Sequence, residues 1–241
     1  MKTMKKASTS ISSMVNELLR FSYKNKLSHI PSALSMLTYV DTIFTEEFIV
    51  PYRDKIVLGK PFGSQAYYLV WNKLGYLDDI TSLSVGVKHA EIPFVDYGEE
   101  TMGNALGVAT GIAIAQPDQR VWVNITDATL QMGSTLEALQ YIGHNNINNI
   151  IVTVDYNNMQ VTGATSDVLN VDPVIPFCES ANWSTHITDG HDCDRVKIPW
   201  LAIEGLKPVI IFYKTIKGFG VDYMMKDPVK WHYRPIDTYH E

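Results

Sequence analysis

A chain of 241 residues that is 46% hydrophobic and 19% charged can bury one large core or two small ones. Its formal net charge of −6 speaks against general nucleic-acid binding, which favours a basic surface. Two cysteines, Cys178 and Cys193, with no CxxC pair suggest neither a disulfide framework nor a zinc site, and fit the reducing cytoplasm. The basic start MKTMKK is not followed by the apolar stretch of a signal peptide, and no run is long and apolar enough to predict a membrane span.

Ser12 or Ser13 is placed to cap a first helix reaching about Tyr23, with Met14, Leu18, Leu19 and Phe21 apolar. SALSMLTYVDTIFTEEF repeats Leu34, Leu37, Val40 and Phe44 near helical spacing and predicts a second helix. KIVL (55–58) is a short strand, and SQAYYLVWNKLGY is a helix stopped at Gly75. On that helix Trp71, Tyr67 and Tyr68 should pack against the sheet or a partner chain. TMGNALGVATGIAIA (101–115) is a small-residue helix whose glycines cost propensity that close packing must offset. RVWVNI (120–125) is a strand, 132–144 a helix, and NIIVTVDY (149–156) a strand rich in β-branched residues. VIPFCESANW reads as helix, STHIT as strand, DRVKIPWLAIEGL as helix and KPVIIFYKT as the last strand. Buried β-branched runs separated by helices imply one α/β domain over 1–241, a mostly parallel sheet with helices on both faces.

In such sheets ligands bind beyond the carboxyl ends of the strands. Asp127 ends one strand, and Asn157 lies just past another, 30 residues on, about one strand–helix–strand circuit. A carboxylate, an amide oxygen and a nearby backbone carbonyl make a hard-oxygen site suited to Mg²⁺. The helix starting near Gln131–Gly133 could aim N–H groups at phosphate. On the residues alone a plainer alternative stays open, with Asp127 a helix cap and Asn157 a turn residue.

The stretch TDATLQMGSTLEALQYIGHNNINNIIVTVDYNNMQVTG resembles the thiamine-diphosphate motif of transketolases, which opens on Gly-Asp-Gly and closes on Asn at the same spacing. SHIPSALSM (28–36), RDKIVLGKPFGSQAYYLVWNKLGYLDD, GNALGVATGIAIA, DGHD (189–192), KTIKGFGVDYM (214–224) and Trp231-His232 are similar to further strings of that family, in the same order. The resemblance implies the thiamine-diphosphate-binding fold. It implies that Asp127 and Asn157 bind Mg²⁺ through side chains and Met159 through its carbonyl. Thr101, Met102, Ala128, Thr129 and Asn157 would touch the cofactor, and His29, His89 and His232 the substrate. A complete transketolase continues into a pyrimidine-binding domain that carries its essential glutamate. The resemblance therefore implies the N-terminal subunit of a split transketolase. Its C-terminal subunit would carry the pyrimidine-binding domain in an α2β2 assembly acting on sugar substrates, with no nucleic acid and no membrane.

The chain departs from the family pattern at several points. Thr126 and Ala128 replace the glycines around Asp127, and Met132 replaces an acid. Phe62 stands at the SKGH histidine and can neither donate a hydrogen bond nor shuttle a proton. Glu99-Glu100-Thr101-Met102-Gly103 replaces TGSLG, with Glu100 read as an acid at the start of the 101–115 helix. His191 should shape a turn, His144 complement a helix end, and Lys214 lie in a solvated loop, while Lys217 could bind phosphate. These departures support two readings: a transketolase subunit with a divergent substrate site, or a degenerate subunit that scaffolds its partner.

Overall fold

The computed structural model describes residues 10–81, 83, 85–87 and 91–238; His89 lies outside them. In chain order the elements are α1 (Ile11–Lys24), α2 (Ile30–Thr45), β1 (Lys55–Leu58), α3 (Gln65–Lys73), β2 (Tyr97–Gly98), α4 (Ala105–Ala115) and β3 (Val121–Thr126). There follow a 3-10 turn (Asp127–Gln131), α5 (Gly133–His144), β4 (Ile150–Tyr156), β5 (Met159–Gln160), β6 (Gly163–Ala164), α6 (Thr165–Val168) and α7 (Val174–Ser180). Last come β7 (Ser184–Asp189), α8 (Cys193–Leu201), β8 (Val209–Lys214) and α9 (Asp222–Lys226). Six strands form one sheet in the order β2-β1-β3-β4-β8-β7, every pair parallel, and β5 and β6 make a small antiparallel hairpin.

Alternation along each strand sends its side chains to opposite faces. Val121, Val123 and Ile125 of β3 pack under α4, α5 and α7, whereas Trp122 packs with α1, α2, α3 and α8. The central strands are buried on both faces, which is why they read as unbroken apolar runs. Helix α2 is buried from Ile30 to Phe44 and acts as a core element. Tyr67, Tyr68 and Trp71 are wholly buried in this same core. A chain of polar groups in the centre of the sheet is paired: Tyr39 donates to Asn124 Oδ1 (3.1 Å), Trp122 Nε1 to Thr153 Oγ1 (2.9 Å), and Thr153 to Asn124 (2.9 Å).

Some boundaries differ from the sequence expectation. Helix α1 is capped by Ser10, whose Oγ accepts from Ser13 N, earlier in the chain than Ser12 or Ser13 would cap it. Helix α4 starts at Ala105 and not near Thr101, because Gly103 takes a φ of +119°, outside the helical region. The acid at its start is Glu99, which accepts from the backbone N–H groups of Gly103 and Asn104 at 3.0 Å each; Glu100 makes no such bond and is exposed.

Candidate active site

Register brings the two strand tips together. Thr126 of β3 pairs with Asp155 of β4, so Asp127 and Asn157 follow side by side at the carboxyl edge of the sheet. Asp127 is wholly buried. Its Oδ1 accepts from Ala128 N (2.7 Å) and Thr126 Oγ1 (3.0 Å), and its Oδ2 from Thr165 Oγ1 (3.3 Å). Burial, then the nearby charge of Asp155, pushes the Asp127 carboxyl up to about 6. Asn157 accepts from Met159 N at 2.9 Å through Oδ1. The side chains of Asp127 and Asn157 and the carbonyl of Met159 are thus gathered within one loop-and-strand-tip cluster.

These tips border a cavity of about 570 Å³. Asn157, Met159, Ala128, Thr101 and Met102 line it, as do His29 and His232. Asp127 and Thr129 stand behind the wall, and Thr129 is spent on the turn, its hydroxyl accepting from Thr126 N at 3.4 Å. The N–H of Ala128 points to Asp127 and not into the cavity. A wider groove of about 780 Å³ between α5 and α7 contains none of these groups.

The histidines form an aromatic wall. His29 has a φ of +60° at the start of α2, and its N–H donates to His232 O at 3.1 Å. Its ring stacks on Phe62 (centroids 4.8 Å, 21°) and meets His232 (5.1 Å) and Tyr233 (4.9 Å) edge-on. Burial, with the charges of Lys217 and Lys60, lowers His29 to about 4. Burial, then Lys217, His29 and Lys60, lowers His232 to about 3. Both imidazoles are therefore neutral at physiological pH.

Two buried lysines reach the site. Lys217 Nζ donates to Met159 O (3.3 Å) and to His232 Nδ1 (2.9 Å). Burial and the neighbouring Lys60 lower Lys217 to about 8. Lys214 is exposed, as expected for a solvated loop. Lys60 forms an ion pair with Asp155 and donates to Ser32 O at 3.1 Å. Burial opposes ionisation of Asp155, yet Lys60, Thr215 and Ser35 together hold its carboxyl below the usual range. Lys60 and Asp155 lie within motifs that the sequence presents, but the motifs by themselves assign them no role. The signal available was an acid inside an otherwise apolar strand, which requires a partner. His191 does more than shape a turn: its Nε2 accepts from Ile216 N at 2.7 Å, anchoring the loop that carries Lys217.

Residues 26–232 match the family described as "Transketolase, thiamine diphosphate binding domain". The chain belongs to the transketolase family. Transketolase-like protein 2 of Homo sapiens is 27% identical over 201 residues, covering 77% of this chain and 32% of that protein. The chain thus spans about a third of the length of that relative. An apulose-4-phosphate transketolase subunit of Phocaeicola vulgatus is 24% identical over 237 residues, covering 90% of this chain and 84% of that protein. The transketolase of Leishmania mexicana shares the fold with a TM-score of 0.73 at 20% identity, over 89% of this chain and 38% of that one. The Campylobacter jejuni transketolase does so with a TM-score of 0.70 at 20% identity, over 95% of this chain and 41% of that one. The donor set fits the family's cofactor. Asp127, the Asn157 amide and the Met159 carbonyl are hard oxygens, and the Met159 carbonyl already draws a cationic ammonium. No cluster of three or more His, Cys, Asp or Glu side chains suited to a metal occurs among the described residues, so a metal here would depend on amide and carbonyl oxygens as well. No helix among the described residues is long and apolar enough to cross a membrane.

Proposed function

We propose that this chain is the N-terminal subunit of a two-chain transketolase, moving a two-carbon ketol unit from a ketose to an aldose acceptor. The observation that carries it is the meeting of Asp127, Asn157 and Met159 beside a cavity lined by His29, His232 and Lys217. The Phocaeicola vulgatus relative, itself named as one subunit of a transketolase, is of comparable length and supports a partner chain. In this reading residues 1–241 form one diphosphate-binding domain, and a C-terminal subunit brings the pyrimidine-binding domain into an α2β2 cytoplasmic assembly.

Asp127, Asn157 Oδ1 and the Met159 carbonyl would hold Mg²⁺, which tethers and neutralises the cofactor diphosphate. Thiamine diphosphate, when bound, supplies the carbon nucleophile that carries the two-carbon unit. Lys217 would add positive charge beside the diphosphate end. His29 and His232 are neutral, and His232, whose Nδ1 accepts from Lys217, can present its Nε2–H as a hydrogen-bond donor to a substrate oxygen. Phe62 covers one face of His29 and moves no proton, which supports a substrate site unlike that of the parent family.

A second reading, the degenerate scaffold, draws on the Asp127 carboxylate being satisfied by protein donors already. Calorimetry of the chain co-expressed with its partner subunit separates the two. Saturable, Mg²⁺-dependent uptake of thiamine diphosphate that Asp127→Ala abolishes supports the enzyme. Absence of uptake by the intact complex favours the scaffold.

A further inference from the structure

An asparagine amide ligates a cation only through its oxygen, because its nitrogen carries two donor hydrogens and no acceptor. Something must therefore keep Asn157 from turning its NH₂ group toward the metal position. In this fold the Nδ2 of Asn157 donates to Asp155 Oδ2 at 2.8 Å and lies 3.4 Å from Ser35 Oγ. That leaves Oδ1 on the side of Met159, whose N–H it meets at 2.9 Å. Asp155 is itself wholly buried and immobilised from three directions. Ser35 of α2 donates to both its oxygens (2.7 and 2.9 Å), Lys60 after β1 forms an ion pair with it, and Thr215 after β8 donates to Oδ1.

We propose that Asp155 is a positioning residue for the cation site: its carboxylate, clamped by Ser35, Lys60 and Thr215, selects the one amide orientation of Asn157 that presents oxygen to the metal. Asp155 does not touch the ion. Its effect passes through Asn157, in the way outer-layer carboxylates orient metal ligands elsewhere. The proposal rests on the transketolase reading above, since it concerns the same cation. It adds a reason for the acid two residues before Asn157, which the ligand set by itself does not explain. A carboxylate is suited to this role because it can only accept. A neutral amide at 155 could equally donate, and would allow either orientation of Asn157.

The test is a metal titration of the chain co-expressed with its partner subunit, with thiamine diphosphate present, using Mn²⁺ as the probe and its free-ion paramagnetic resonance signal as the readout. Thermal unfolding checks that each variant is folded. Asp155→Asn should weaken Mn²⁺ binding by about 10- to 100-fold, the usual loss when such a supporting group is removed. Asn157→Asp should also weaken it, because it sets two carboxylates in hydrogen-bond contact. Combined, the two substitutions should restore binding to within about threefold of the parent, since an aspartate at 157 has two equivalent oxygens and needs no orientation. A purely structural loss would instead accumulate in the double variant. If Asp155→Asn does not fold with Lys60 left unpaired, Lys60→Met is added to the Asp155→Asn and double variants. The proposal is overturned if Asp155→Asn binds Mn²⁺ as the parent does, or if the double variant binds no better than Asp155→Asn alone. A parent complex, the chain with its partner subunit, that takes up no Mn²⁺ overturns the transketolase reading, and this proposal with it.

Discussion

Lys217 Nζ lies 2.9 Å from Nδ1 of His232. An ammonium can only donate, so His232 accepts at Nδ1 and carries its proton on Nε2. This contact, added to burial, holds His232 near 3, and His29 beside it is held near 4. Both values lie below the ordinary 6.5, so as pH falls the unfolded chain takes up protons before the folded one does. Stability should therefore decline from about pH 6.5 down through about pH 3, as followed by urea unfolding. Imidazole nitrogen shifts at pH 6 should report both rings neutral. Lys217→Met should raise His232 while leaving it below 6.5, because burial remains the larger cause. A His232 already protonated at pH 6 would contradict the arrangement.

Asp127 titrates in the opposite sense. Its folded value near 6 exceeds the ordinary 3.8, so the folded chain binds the proton first, and ionisation above pH 6 works against the metal-free fold. At pH 8, without divalent ions, Asp127→Asn should stabilise the chain by about 1–3 kcal/mol. The same substitution should abolish divalent-ion binding. Urea midpoints with and without Mg²⁺ measure both effects, and a destabilised Asp127→Asn chain would show the acid to be structural.

Glycine substitutions should have opposite signs on two helices. A Cβ at Gly143 of α5 would collide with the carbonyl oxygen of Ala181 after α7, a backbone atom that cannot move aside. Gly143→Ala should cost about 3 kcal/mol or more, read from the urea midpoint. Gly107 of α4 has open space around its Cβ position, and Gly107→Ala should stabilise the isolated chain by about 0.5–1 kcal/mol. Equal effects at the two positions would refute the close α5–α7 approach.

The strands at the heart of the sheet were legible because burial on both faces writes itself locally, as in VWVNI and IIVTV. So was the meeting of Asp127 and Asn157, since an acid and an amide at two strand tips one circuit apart must meet if the strands are neighbours. Less was legible where short elements depend on their surroundings. The two-residue β2 and the β5–β6 hairpin have no periodicity to detect. The choice of Glu99 over Glu100 as the acid of α4 turns on the positive φ of Gly103, a conformation no composition reveals.

The sequence by itself determined a parallel α/β sheet and the residues at its carboxyl edge, because side-chain patterning along one segment reports which faces are buried. Only the tertiary structure decided what surrounds those residues. Lys60 reaches Asp155 across 95 positions, Ser35 across 120 and Lys217 reaches Met159 across 58. Such partnerships, and the protonation they impose on His29 and His232, arise from distance through space and burial, which spacing along the chain does not encode.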